Sequence, residues 1–294
     1  MAIADSVYER RSRLATTFSY LQRNPSLLFG GLLFFTLIGA ALVAHVVYDT
    51  SLSQPLSVMP SQPPSAELPF GSDTQGRDLF ASIARGTLLT LGIGLLAGSI
   101  GLTFGGALGF IAGFFGGWVD TVVKLFVDVL LTVPALLVLV IIASAVGELP
   151  PLGMALVIAL LAWRRPARQI RAQVLILREA GFVKTARISG RGPFAIIFKE
   201  ILPNLLPFLA ASFTVAVSAA ILASVGLEAL GLGSQSVPTL GMTIFWMMNF
   251  SALMLGMWWW VLTPIAVLII LFVSLYLITA GLDELANPRL RRRA

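Results

Sequence analysis

The chain has no cysteine and a single histidine, His45, and each scarcity excludes a class of chemistry. Without thiols there is no disulfide framework, no thiolate nucleophile and no thiolate metal site. One imidazole cannot alone assemble a metal centre or a triad, and His45, at the outer end of the first apolar run, is expected at an interface. No glycine is followed by lysine, so the phosphate loop of an ATPase is missing. The chain itself is therefore expected to bind no cofactor and to be no enzyme. Charge is scarce too. Only 12% of the 294 residues are charged against 57% hydrophobic, and mean hydropathy is +0.91, the composition of an integral membrane protein. The net charge of +6 would suit nucleic acid, but its placement argues otherwise. Arginines gather near the N-terminus (Arg10, Arg11, Arg13, Arg23), in the centre, and near the C-terminus (Arg289, Arg291, Arg292, Arg293), as in cytoplasmic segments of a membrane protein. No nucleic-acid partner is expected.

The central stretch, Trp163 to Asn204, organises the rest. Its basic residues include Arg164, Arg165, Arg168, Arg171, Arg178, Lys184, Arg187, Arg191 and Lys199, opposed only by Glu179 and Glu200. Burying half of them in lipid would cost on the order of 10 kcal/mol. Apolar residues nevertheless recur at helical spacing: Ile170, Val174, Leu175 and Leu177 in one stripe, Ile188, Ala195, Ile196 and Ile197 in a second, after a break at Gly190 to Pro193. Two short amphipathic helices joined by a glycine turn are expected, forming a knob that docks on something or, on charge alone, a solvated basic loop.

Around this stretch the chain reads as all-α, with six transmembrane helices and both termini cytoplasmic. Residues 1–26 form a basic N-terminal segment with no cleavage signature, 27–47 the first span, and 48–82 a proline-rich extracytoplasmic loop. Residues 83–281 form a five-helix core containing the loop 164–204 and an outer segment 231–257; 282–294 are a cytoplasmic tail. The second span, expected from Arg85 to Phe115, carries Gly101, Gly105, Gly109 and Gly113, with Gly117 just beyond, at strict four-residue spacing. Glycine costs a helix up to ~1 kcal/mol each, so this face requires a packing or sliding partner. The third span, Val119 to Val146, carries Asp120, Lys124 and Asp128, which pair along one helix face or form an ion relay, and Pro134 is expected to kink it. The fourth is short; its helix is expected to continue past Trp163, with Arg164 and Arg165 snorkelling to the interface before Pro166. In the fifth, Leu205 to Leu230, Pro207 fits the first turn, and Glu228 either serves a cavity one turn from Ser224 or is a surface charge. Span six, Val261 to Gly281, follows. Residues 234–257 hold Trp246 and the methionines Met242, Met247, Met248, Met254 and Met257, an adaptable surface for variable ligands or a docking protein; Trp258, Trp259 and Trp260 read as an interfacial aromatic belt.

Beyond charge, the run Val183 to Asn204, VKTARISGRGPFAIIFKEILPN, resembles the coupling loop of ABC importer permeases, with its Glu-Ala-Ala, following Gly and later Leu-Pro. Ala186, Gly190, Leu202, Pro203 and Asn204 stand where that family has them. Lys184 and Thr185 replace Glu-Ala, reversing the local charge, with Glu179 the candidate to offset it. Gly71-Ser72-Asp73 to Gly76-Arg77-Asp78 resembles the Gly-Thr-Asp-x-x-Gly-Arg-Asp signature of dipeptide and oligopeptide permeases, and is equally an Asx turn capping a helix. Gly116-Gly117-Trp118-x-Asp120 and the closing Asp283 to Arg291 are similar to the same family, Asn287 replacing an Asp.

The resemblance implies the second permease of a binding-protein-dependent importer in a prokaryotic inner membrane. It implies a homologous second permease, two ATP-binding subunits carrying ATP and Mg, and an extracytoplasmic substrate-binding protein. By it, Glu179, Lys184, Thr185, Ala186, Gly190, Leu202 and Pro203 contact the ATPase, and Asp128, Ser224, Glu228, Met242 and Trp246 are pathway candidates. Peptides are the implied substrates, with oligosaccharides or nickel complexes as alternatives. A self-contained, ion-driven transporter is the competing class; it requires inverted repeats and acids at mid-membrane, of which only Asp128 qualifies.

Overall fold

A computed structural model describes residues 24–286, and these are helical apart from loops and two isolated bridges, Ser72 with Asp78 and Leu149 with Gly233. The leader and the run from Asn287 to Arg291 lie outside the described residues. In chain order the helices are α1 (Pro25–Val47), α2 (Leu79–Phe115), α3 (Gly117–Thr132), α4 (Ala135–Val146), α5 (Pro151–Ala162), α6 (Arg164–Arg178), α7 (Gly181–Ile188), α8 (Pro193–Ile196), α9 (Leu202–Ala229), α10 (Leu240–Asn249) and α11 (Trp258–Ala286). Four helical stretches are long and apolar enough to cross a membrane: α1, α2, Pro193–Ala229 and α11. The bent pair α3 and α4 makes a fifth if it counts as one span.

The long helix α2 is the axis of the fold. Asp78 caps its first turn, accepting from the amides of Phe80 and Ala81, so it begins at Leu79, ahead of the expected Arg85. Helices α1, α5, α6 and α9 all pack on it. Against α5 and α9 it buries Ile93 and Ala97 with Met154, Ile158, Ala220 and Leu227; a second cluster joins Ile170, Val174, Val183, Ile196, Ile201 and Leu205 beneath α7. Small residues set the close approaches. A Cβ on Gly30 of α1 would fall 2.7 Å from Leu277 of α11, and one on Gly281 would fall 2.5 Å from Leu27.

Several expectations require correction. Pro134 does more than kink the third span: α3 and α4 meet at 79°. Proline removes the amide that a continuous helix would donate to the Leu130 carbonyl, and Val133 before it takes an extended ψ of 126°. Asp120, Lys124 and Asp128 do not pair with one another. The two acids pair with Arg171 and Arg168 of α6. Arg164 does not snorkel; it is buried, donating to the carbonyls of Leu161 and Leu130. The short fourth span does continue past Trp163, as expected, almost without a break into α6, and the helix then breaks at Glu179 and Ala180. Pro207 lies inside α9, because a π turn over Ile197–Ile201 carries the chain from α8 into α9 before it. Within the second stripe Ile196 is buried, whereas Ile188 is 88% exposed. Of the three consecutive tryptophans 258–260, Trp260 is fully buried and Trp259 donates to the Ser72 carbonyl, which leaves Trp258 exposed as a belt residue would be.

Candidate functional site

The site is built on α6 and α7. Helix α6 lies in the glycine groove of α2. A Cβ on Gly101 would meet Ala162 at 2.7 Å, one on Gly109 the Ala167 carbonyl at 2.7 Å, and one on Gly113 the Arg171 carbonyl at 2.9 Å. Gly105 faces the Trp163 carbonyl in the same way. Gly117 stands apart, at a positive φ of 59° with no neighbour within 4 Å of where a Cβ would sit. Four-residue spacing puts the first four on one face, and only a missing side chain lets two backbones come this close.

Arginines secure the other sides of α6. Arg171 forms a forked pair with Asp120, one arm at 2.6 Å, and this bonding pushes its guanidinium above the ordinary arginine range. Arg168 reaches Asp128 at 3.8 Å. At the far end Arg178 donates to the carbonyls of Gly113 and Phe114, at 3.1 and 3.3 Å, capping the last turn of α2. Helix α6 is thus fixed along its whole length.

Beyond the break, α7 presents the coupling candidates together. Ala186 is buried beside Val183, whereas Lys184 and Thr185 face solvent. Lys184 lies 4.0 Å from Glu179, which also pairs with Arg178 at 3.2 Å; such exposed pairs contribute about 0–1 kcal/mol. Gly190 ends α7 at φ 77°, its amide donating to Arg187 and the Arg191 amide to Ala186. That double closure is a Schellman cap, and it explains the glycine by backbone conformation rather than by space. Arg191 pairs with Glu200 across the loop, Leu202 is half-buried, and Pro203 is exposed in the first turn of α9. This polar knob also carries large apolar side chains in the open: Ile188, Phe194 at 69% and Phe198 at 62% exposed.

The pathway candidates do not converge. Asp128 is held by Arg168 near this end. Ser224 and Glu228 are buried at the opposite end of α9, where Gly233 and Gly241 press on Glu228. The Ser224 and Thr239 hydroxyls and the Gly241 amide are its polar neighbours, while its Oε2 makes no bond of proper geometry. Met242 and Trp246 are packed with Leu79, Ala252, Met257 and Trp260 in a cap formed by the loop before α2 and the segment around α10. Within that cap the Arg77 guanidinium sits 3.5 Å from the centre of the Trp246 ring and pairs with buried Asp73 at 3.5 Å. Burial pushes the Asp73 carboxyl up and the Arg77 guanidinium down, each opposed by the other's charge. Burial, then the adjoining Asp78, raises the Tyr48 phenol to about 12. The Gly-Ser-Asp to Gly-Arg-Asp run is therefore a capping turn: Asp73 accepts from the amides of Gln75 and Arg77, and Asp78 caps α2.

Residues 105–292 match the family described as the binding-protein-dependent transport system inner membrane component. The chain belongs to that family. It is accordingly a membrane component of such a transport system, rich in apolar helices of spanning length. Among curated relatives it is 32% identical to the dipeptide transport system permease protein DppC of Alkalihalophilus pseudofirmus, over 93% of this chain and 89% of that one. It is 31% identical to the oligopeptide transport system permease protein OppC of Mycobacterium tuberculosis, over 78% of this chain and 79% of the relative. A solved structure of inward-facing conformations of the MetNI methionine ABC transporter shares the fold. The TM-score is 0.54 at 19% identity, covering 70% of this chain and 95% of that one. The family match begins at Gly105, inside the groove that receives α6, and includes the whole knob.

Sequence reasoning missed Arg164, the Asp120–Arg171 pair and the Arg77–Trp246 stack. Asp120 and Arg171 are 51 residues apart, and no local pattern relates them. The one available signal was an excess of arginine over lysine in the central stretch, since the planar fork favours buried and bidentate contacts.

Proposed function

We propose that this chain is one of two permease subunits of an ATP-driven importer of di- or oligopeptides, and that α7 with its flanking loop docks on an ATP-binding subunit. The observation that carries the reading is the knob itself. Ile188, Phe194 and Phe198 project from a segment too charged for lipid, and apolar side chains standing free among charges mark a protein interface. Lys184, 60% exposed, sets the local sign of that interface, so the partner's facing surface carries acid. Ala186 and Gly190 shape the helix, while Thr185, Glu179, Leu202 and Pro203 border it.

In this reading α1, α2, α9 and α11, the bent α3 and α4, and the short α5 make six spans, with α6 to α8 outside the lipid. Both termini lie with the knob in the cytoplasm, as the arginine-rich ends favour. A homologous permease completes the pathway, two ATP-binding subunits carry ATP and Mg, and an extracytoplasmic binding protein delivers substrate to the cap. The peptide class follows the names of the relatives. Nucleotide-driven closure of the ATPases displaces α7 and thereby rocks the spans.

The test is Ile188→Asp in the complex purified from native membranes. Loss of the phosphate-loop subunits at an unchanged melting temperature is expected, because an 88% exposed side chain contributes little to the chain's own fold. Retention of those subunits at wild-type stoichiometry would remove α7 as the docking element.

A further inference from the structure

The break between α3 and α4 has an unusual neighbour. In a continuous helix the Leu130 carbonyl would accept from the amide of residue 134, and Pro134 has no amide hydrogen. The missing donor comes from another helix: Arg164, at the start of α6, gives Nη1 to the Leu130 carbonyl and Nε to the Leu161 carbonyl at 2.9 Å. Arg164 is 6% exposed and makes no ion pair among the described residues. Its guanidinium therefore complements the negative C-terminal end of α3, as Arg178 complements that of α2. Between them, Arg168 and Arg171 hold Asp128 and Asp120 further down α3. Positions 164, 168 and 171 share one helix face, so the three arginines form a ladder along α3, while the adjoining face of α6, with Ala167, Ile170 and Val174, sits in the glycine groove of α2.

We infer that α6, α2 and α3 move as one body, and that Arg164 is the positioning residue through which a displacement of α7 reaches the bent joint at Pro134. The joints that remain are the α6–α7 break at Glu179 and Ala180 and the α3–α4 bend. Helix α4 beyond the bend has no charged side chain to join the ladder, and Leu139 and Ala143 pack it on α5 and α9 instead, so a displacement of the ladder relative to that packing alters the bend. This rests on the proposed coupling of α7 to ATPase subunits. Lysine does not substitute for Arg164, because two carbonyls on different helices require two donors in a fixed plane.

The experiment uses the full importer complex in lipid nanodiscs. The chain has no native cysteine, so spin labels at Leu125→Cys on α3 and Leu137→Cys on α4, 65% and 61% exposed, read the bend directly by pulsed electron resonance. With MgATP trapped by vanadate, the distance distribution of the labelled parent is expected to shift. In Arg164→Gln and Arg164→Lys that shift is lost while MgATP hydrolysis persists within twofold, and in Arg165→Gln, an exposed neighbour, it is retained. A shift that survives Arg164→Gln overturns the inference but leaves the coupling reading standing. A parent complex that hydrolyses no MgATP overturns both. Should Arg164→Gln fail to assemble, Asp120→Asn breaks the ladder at its other end without changing volume. A reduced shift there supports the inference, and an unchanged shift refutes it.

Discussion

Adding one methyl group at Gly109 should separate α6 from α2, whereas adding it at Gly92 of the same helix should not. A Cβ on Gly109 would lie 2.7 Å from the Ala167 carbonyl oxygen and 2.9 Å from the Arg171 amide nitrogen, and neither backbone atom can rotate aside. Restoring an ordinary contact of 3.4 Å requires α6 to retreat by about 0.7 Å, a gap that forfeits roughly a quarter to a half of each dispersion contact along the groove. Ile170 and Val174, fully buried on the face of α6 that meets α2, lose packing at the same time. Overpacking of this kind costs about 1–3 kcal/mol. At Gly92 nothing lies within 4 Å, so alanine gains helix propensity, at most ~1 kcal/mol, and loses nothing. Thermal unfolding of the detergent-purified complex, followed by size-exclusion fluorescence, should rank Gly92→Ala at or above the parent and Gly109→Ala several degrees below it. A domain of this size moves about 2–4 °C per kcal/mol. Equal melting of the two variants would refute the groove as the reason for the glycine spacing.

Arg77→Ala should be the most damaging single change in the cap, costing about 3 kcal/mol or more because Asp73 is left buried without its partner. Asp73→Asn in the same chain should recover part of that loss, and protease cleavage of the 48–78 loop would register both. The pH dependence has a definite sign. Burial raises the Asp73 pKa, so its stabilising contribution is complete below the ordinary carboxylate pKa and declines as pH rises through the raised value. Mild acid should therefore leave the cap as resistant to protease as at neutral pH or more so, and Asp73→Asn should flatten the profile; a cap that loosens only in the parent as pH falls would contradict the burial of this carboxyl. Gly190→Ala should fray the last turn of α7, since a left-handed residue with a Cβ costs about 1–2 kcal/mol, and faster hydrogen exchange confined to residues 186–191 would show it.

The elements that depend on local signals were legible in the sequence. Asn24-Pro25 and the apolar run after it mark α1, the Gly-Ser-Asp to Gly-Arg-Asp run was legible as a helix-capping turn although α2 begins ahead of the expected Arg85, and the four-residue glycine repeat marks the face of α2 that another helix must approach. Which helix approaches was not legible, because the glycine pattern specifies a shape and carries no address. The partners of Asp120 and Asp128 were read as the nearest charges in sequence, whereas folding brought arginines from α6, and long-range pairing leaves no periodic trace. Pro134 announced a bend, but neither its 79° nor the arginine from another helix that donates to the freed Leu130 carbonyl left a local trace. The stripe holding Ile188 and Ile196 divides between solvent and core, because apolar spacing cannot distinguish a face that meets the chain's own core from one left exposed. The cap shows the same ambiguity. Met242 and Trp246 read as an adaptable surface, and Arg77 converts Trp246 into part of a packed interior.

The central claim is that α7 is where this permease meets its ATPase. Because the chain has no cysteine, Ile188→Cys introduces its only thiol, 88% exposed at the end of α7. Membranes carrying this variant, treated with a short bifunctional thiol–amine reagent, should yield an adduct between this chain and a phosphate-loop subunit. Phe35→Cys, 73% exposed on the apolar face of α1, should yield none. No adduct at position 188, together with a thiol there that water-soluble maleimide cannot reach, would place α7 away from both the ATPase and the cytoplasm and would contradict the account.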